Sequence, residues 1–256
     1  MTNPEATIAS IAERIRRPPT AGHSVLEGSL PVVAFGDPSQ ACVATIALNP
    51  SDAEFMDRNG WLDGPKKRLE SLHSLGASHA SDLSDEQVAQ VLTACNRYFA
   101  GNWLKTWFGP LEQVLKESGT GSFLDGSVCH LDLVQWATRP KRSDLTTAVW
   151  DRLVAEDSAF LRWQLETYDF DVLLINGVGV SDGLLASGLA GPWTQDRVSF
   201  DGTKRQRHLW LRTGSVCGVP ALAWNLPLDK GISPDGRNVL QTWIREHLPA
   251  RGPAHA

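Results

Sequence analysis

The sequence contains no Cys-x-x-Cys pair, and its four cysteines, Cys42, Cys95, Cys129 and Cys217, stand far apart. That spacing argues against a zinc ribbon or an iron–sulfur cluster and reads as reduced core thiols of a cytoplasmic protein. No group of side chains has metal-ligand spacing, so neither a metal nor another cofactor is expected. No apolar run reaches the roughly 20 residues that a membrane span requires. The opening Met1-Thr2-Asn3-Pro4-Glu5 has neither a basic nor an apolar leader region, and export is not expected. Repeats, low-complexity tracts and a convincing interdomain linker are also lacking. What remains is 256 residues with 42% hydrophobic and 21% charged content, the make-up of a folded soluble chain with ample length for a core. A single domain over 1–256 is expected, with a helical extension over 1–30 and a frayed tail over 250–256.

An excess of basic charge is also lacking. The net charge of −5 gives no overall basic character, yet Lys and Arg gather in three clusters: Lys66-Lys67-Arg68, Arg139-Pro140-Lys141-Arg142 and Lys204-Arg205-Gln206-Arg207. An enzyme that binds DNA and releases it needs only one basic face. Ten tryptophans are many for this length. Most belong in a core, but tryptophan also stacks on bases and sugars.

Strand and helix patterns alternate along the chain. Asn3-Pro4-Glu5 opens a helix that Pro18-Pro19 stops. Pro31–Phe35 and Ala41–Leu48 read as strands, and Pro65 opens a short helix through Leu69 and Leu72. Ser84-Asp85-Glu86-Gln87 is a capping box for a helix, and another helix spans Leu104 to Ser118. Val128–Val134 is a strand, Leu145–Thr167 one or two helices, Asp171–Asn176 a buried strand, and Ser181–Leu189 a short helix. His208–Arg212 and Val219–Trp224 are strands, and a last helix runs from Pro234 to Leu248. The alternation predicts an α/β fold, a three-layer α/β/α sandwich around a central, mainly parallel sheet.

Four strand ends carry polar groups. They are Asn49-Pro50-Ser51-Asp52 with Glu54 behind it, Asp132-Leu133-Val134-Gln135-Trp136, Asn176-Gly177-Val178-Gly179, and Asn225-Leu226-Pro227-Leu228-Asp229-Lys230-Gly231. In a parallel sheet all four would line one crevice at the C-terminal ends of the strands, where ligands bind. The third is too short to be a dinucleotide fingerprint. His130 and His208 lie in strand patterns and read as core.

In this arrangement the chain resembles the uracil-DNA glycosylase superfamily, over about Pro31 to Leu248. Ala47-Leu48-Asn49-Pro50-Ser51 is similar to the family's first strand-end motif, Gly-Ile-Asn-Pro-Gly or Gly-Gln-Asp-Pro-Tyr-His. Asn225-Leu226-Pro227-Leu228 looks like a divergent form of its last motif, without the usual Pro-Ser. The strand Val128–Val134 is similar to the one that supplies the base-reading side chain.

The resemblance implies a uracil-DNA-glycosylase-like fold and an enzyme that flips a base from DNA and hydrolyses its N-glycosidic bond. Such a reaction needs a positioned water and donors on the departing base. Asn49 matches the position that holds the water. Asp52 or Glu54 would assist it, although each acid also fits as a turn or helix cap. Asn225 matches the donor to the leaving base and also reads as a turn amide. Asp132 stands where uracil-removing relatives typically carry Asn. A carboxylate only accepts, which suits the exocyclic amine of a cytosine-type base; the residue also reads as a buried aspartate holding a neighbouring Arg or loop amides.

Trp61 and Trp136 are candidates for stacking on the base, and each also reads as core. Leu228 or Lys230 would fill the gap left in the duplex. Arg139, Lys141 and Arg142 would contact phosphates. No lysine matches a Schiff-base position, so a monofunctional glycosylase is expected, acting as a monomer in the cytoplasm on a modified cytosine, for instance glucosylated hydroxymethylcytosine of phage DNA in anti-phage defence. Three further readings stay open: repair of uracil or mismatched thymine, a non-catalytic binder of modified DNA, and a hydrolase of small nucleosides.

Overall fold

The computed structural model describes residues 4–20, 24–101, 104, 107–202, 206–228 and 232–249. Its centre is a six-stranded sheet built from β1 (Val43–Ala47), β4 (Val128–Asp132), β5 (Val172–Asn176), β6 (Thr194–Asp201), β7 (Gln206–Val216) and β8 (Val219–Trp224). The spatial order is β4-β1-β5-β8-β7-β6; the first four strands are parallel, and β7 and β6 continue the sheet antiparallel. A short hairpin, β2 (Met56–Asp57) and β3 (Gly60–Trp61), stands apart from it.

Why the first strands are parallel follows from their composition. β1, β4 and β5 are buried at every position, as strands covered on both faces must be. Alternate residues then serve two cores. On one face Val43, Val172, Leu174, Leu222 and Trp224 pack with α1 (Pro4–Arg16), α3 (Asp85–Asn96), α4 (Phe108–Ser118) and α7 (Pro234–His247). On the other, Ala44, Ile46, Leu173, Ile175 and Ala221 meet α5 (Thr147–Thr167) and α6 (Val178–Ala186). The layers are thus helix, sheet, helix.

Several predicted elements change in detail. Pro31–Phe35 is buried but forms no strand; its Phe35 makes a single antiparallel bridge to His130, and Val32 donates to the Gln135 carbonyl instead of joining a ladder. The helix expected from Leu104 begins at Phe108, because Pro110 has no N–H and is tolerated only in a first turn. Pro65 sits in a single 3₁₀ turn, Gly64–Lys66, separate from the four-residue α2 (Leu72–Leu75) that Ser71 caps. β6 had no apolar signal: nearly all of it is exposed. The predicted cap Asn3 and the tail from residue 250 lie outside the described residues.

The path of the chain sets the ligand-binding edge. From β1 it crosses to β4 on one side, then returns to β5 on the other. The connections leaving β1 and β5 therefore part in opposite directions, and a crevice opens beyond their C-terminal ends.

Candidate functional site

One transverse row of the sheet carries the polar groups of this edge. Asp132 pairs with Ala47, and Asn176 pairs with Trp224. Ala47 and Asn176 follow directly after the paired Ile46 and Ile175. Residues level with one another across a sheet point to the same face, here the face of Trp224 and the aromatic core. Two strand spacings put Asp132 and Asn176 about 9–10 Å apart, with only the methyl of Ala47 between them.

Both flanking residues leave polar atoms unmet. Asp132 is 3% exposed, and neither carboxyl oxygen receives a hydrogen bond. Its nearest polar neighbour, His130 Nε2, stands 3.5 Å from Oδ1, beyond good hydrogen-bond length. That ring is itself held by Thr45, whose Oγ1 lies 2.7 Å from Nδ1, and it packs on Phe35 and Phe108. Asn176 accepts at Oδ1 from Trp224 Nε1 (2.9 Å) and Leu228 N (3.2 Å). Two donors on one oxygen fix the amide, and its buried Nδ2 has no acceptor. Native interiors leave few such groups, because each costs about 1–3 kcal/mol. An acceptor pair and a donor thus end neighbouring strands in one row at the same edge of the sheet.

Asn49 stands two residues after Ala47, the last residue of β1. Its Nδ2 donates to the Pro50 carbonyl (2.9 Å), the Trp136 carbonyl (3.3 Å) and Thr138 Oγ1 (3.2 Å). Among the described residues its Oδ1 accepts nothing, so the group it presents is an oriented acceptor for a hydrogen bond from water. Asn225, just past β8, is locked in the opposite sense. Its Oδ1 accepts from Trp210 N at 2.9 Å, which leaves Nδ2 as the outward donor.

The two candidate acids separate. Glu54 accepts from the Tyr98 hydroxyl (2.6 Å) and Arg68 (3.2 Å) and is a tie between the Asn49 loop and the helical layer. Burial first, and then the Glu54 carboxylate, push the Tyr98 phenol far above its ordinary range. Asp52, half-buried, receives only the Ser51 hydroxyl at 3.4 Å in the turn that Ser51 caps.

The loop after β4 is clamped from behind. Arg14 of α1 donates to Gln135 Oε1 (3.2 Å) and to Asp157 of α5 (2.8 Å), whose other oxygen accepts from Gln135 N (2.7 Å). Burial opposes charge on both members, lowering the Arg14 pKa and raising that of Asp157, and their contact offsets it. This clamp holds Trp136 and Thr138, the partners of Asn49.

Trp136 is a correction to the sequence reading. It is 2% exposed beneath the Arg14 guanidinium, 5.3 Å from its ring centre, and offers no face to a base. Leu228 is another: it is 3% exposed, drawn into the core where its N–H bonds Asn176. Lys230 lies outside the described residues. Trp61 is half-buried on the hairpin, stacked on His73 at 6.2 Å and edge-on to the buried Phe55 at 6.5 Å. Arg139 and Lys141 are exposed, with Arg139 against Met56 of the hairpin at 3.5 Å. Arg142 instead folds over Trp150, 4.4 Å from the ring centre. His208 is not core; it pairs with Ser199 Oγ at 3.0 Å on the outer hairpin. Asn176, one of the four polar strand ends in the sequence but not among the expected base contacts, ends a buried strand just as Asp132 does.

Among the described residues no group of three or more His, Cys, Asp or Glu could hold a metal, and no helix is long and apolar enough to cross a membrane. Compared with models of protein families and with curated proteins, the chain matches none.

Proposed function

We propose that this chain is a monofunctional DNA glycosylase that flips a modified cytosine from DNA and hydrolyses its N-glycosidic bond. The observation that carries the reading is the row Asp132–Ala47–Asn176, with unmet acceptors on one side and an unmet donor on the other. A cytosine-type base presents an exocyclic amine beside ring acceptors. Asp132 would take the amine, and Asn176 Nδ2 would give to a ring acceptor. Uracil or thymine would turn a carbonyl oxygen towards the Asp132 oxygens, which disfavours them.

The chemistry then falls to the strand ends. Asn49 Oδ1 orients the attacking water, and Asp52 receives its proton while stabilising the cationic sugar. Asn225 Nδ2 donates to the base as it leaves with the bond electrons. Arg139 and Lys141 hold phosphates beside the crevice. With no lysine in this set, the product is an abasic site. On hypermodified or glucosylated phage DNA such excision would cripple the invading genome, a role in defence.

The test is abasic-site formation on duplexes holding uracil, G·T, cytosine, hydroxymethylcytosine or glucosylated hydroxymethylcytosine. Activity on a cytosine-type base, lost in Asn49→Ala, is the expected result. Activity on uracil alone would reassign the enzyme to repair. Silence with DNA binding intact would make it a binding module.

A further inference from the structure

A second candidate site lies at the opposite edge of the sheet. Between α1, the segment from Val33 to Cys42 and the C-terminal end of α5 is a cavity of about 680 Å³. It opens beneath the N-terminal ends of β1 and β5, where Cys42 and Asp169 lie. That volume falls in the range of small-molecule sites.

Its polar lining is one-sided. Gln164 is 2% exposed, and its Nε2 donates to the Val33 carbonyl at 2.6 Å. The amide orientation is thereby fixed, and Oε1 remains a buried acceptor without a donor. Asn96, from the last turn of α3, likewise leaves Oδ1 unmet. Asp37 and Asp169 add two carboxyl groups, and Asp37 uses one oxygen on Ser39 N and Oγ (2.9 and 2.7 Å). Burial, and after it the charge of Asp37, push the Tyr168 phenol up to about 12. No Lys, Arg or His is among the described lining residues. Ile8, Ile11, Val33 and Leu92 supply an apolar wall.

The unmet side-chain oxygens of Gln164 and Asn96, the two carboxyl groups and the absence of Lys, Arg or His from the described lining favour a cation over an anion there. We propose that this cavity binds a small organic cation, an alkylammonium or guanidinium compound whose N–H groups reach Gln164 and Asn96 and whose carbon chain lies on the apolar wall. The Tyr168 ring and the two carboxylates complete the match to positive charge. This site is independent of the strand-end crevice.

The experiment is calorimetric titration of the full chain with putrescine, agmatine and the neutral 1,4-butanediol. One cation per chain, with the diol silent, is the expected result. The double variant Asp37→Asn, Asp169→Asn keeps the Ser39 contacts and should bind the cations about tenfold more weakly. Gln164→Leu should abolish binding; if that variant does not fold, the charge variant decides. Absence of cation binding, equal binding of the diol, or unchanged affinity in the charge variant would overturn the proposal, leaving the unmet oxygens to water.

Discussion

If the proposed function holds, replacing Asp132 by Asn should move stability and activity in opposite directions, the pattern that separates a substrate-facing group from a structural one. In the folded protein both Asp132 oxygens are buried without a donor, and each unmet group of this kind costs about 1–3 kcal/mol. Asparagine has nearly the same shape and carries one acceptor fewer. Its amide N–H would point to His130 Nε2, which stands 3.5 Å from Oδ1 in the native protein. Relief of about 1 kcal/mol is expected, and for a domain of this size that raises the melting temperature by about 2–4 °C. The cytosine-type base loses a hydrogen bond to a charged acceptor, about 1.5–3 kcal/mol, or about 10- to 150-fold in kcat/KM. Uracil loses the acceptor that opposed its carbonyl and gains a donor, so the ratio of the two activities swings further than either value alone. Thermal unfolding and single-turnover kinetics on paired substrates measure both arms. A variant that unfolds more easily, or one whose base preference is unchanged, would refute the reasoning, because Asp132 would then be an acceptor for the protein itself.

The division of labour between the two acids predicts that Asp52→Asn lowers kcat at least tenfold with little change in unfolding. Glu54→Gln should instead cost about 1–2 kcal/mol of stability through Tyr98 and Arg68, with the smaller kinetic effect; the reverse ranking would exchange their roles. Arg14→Met leaves Asp157 buried without its partner and should cost about 3–5 kcal/mol in urea unfolding. Because burial raises the Asp157 pKa, the folded state holds that proton more tightly than the unfolded one. Stability is therefore lost as pH rises from the ordinary Asp range through the raised value, and the Arg14→Met deficit should be larger at neutral pH than at a pH below the ordinary Asp range. Equal deficits at the two pH values would contradict this. Arg139→Ala with Lys141→Ala should lower the slope of log affinity against log salt by about 2 in DNA titrations, whereas Arg142→Ala, already engaged on Trp150, should change it little.

The parts of the fold that were legible in the sequence are those dominated by burial. β1, β4 and β5 stand out because strands buried at every position are mostly apolar, β8 because its last four residues are buried and apolar, and α3 and α7 because their caps and periodicity agree. β6 could not be read, since an exposed edge strand carries no apolar signal. The hairpin Met56–Trp61 is two residues to a strand, too short for alternation to appear. At the candidate site, Asn49, Asp132 and Asn225 were visible as polar residues that end buried strands. What the sequence could not display were long-range pairings. Glu54 meets Tyr98 from 44 residues away, and Trp136 disappears beneath a guanidinium from the first helix. Leu228 looks like an exposed loop residue until its N–H is found on Asn176.

The Arg14–Asp157 contact also has a meaning in time. Its members are separated by 143 positions, so during synthesis the first helix waits for more than half of the chain to follow before its guanidinium can be neutralised. Until α5 has left the ribosome, the loop that cradles Asn49 has no rear support. The polar strand ends are consequently among the last regions to settle, and a nascent or prematurely terminated chain carries Asn49 without the support that orients it.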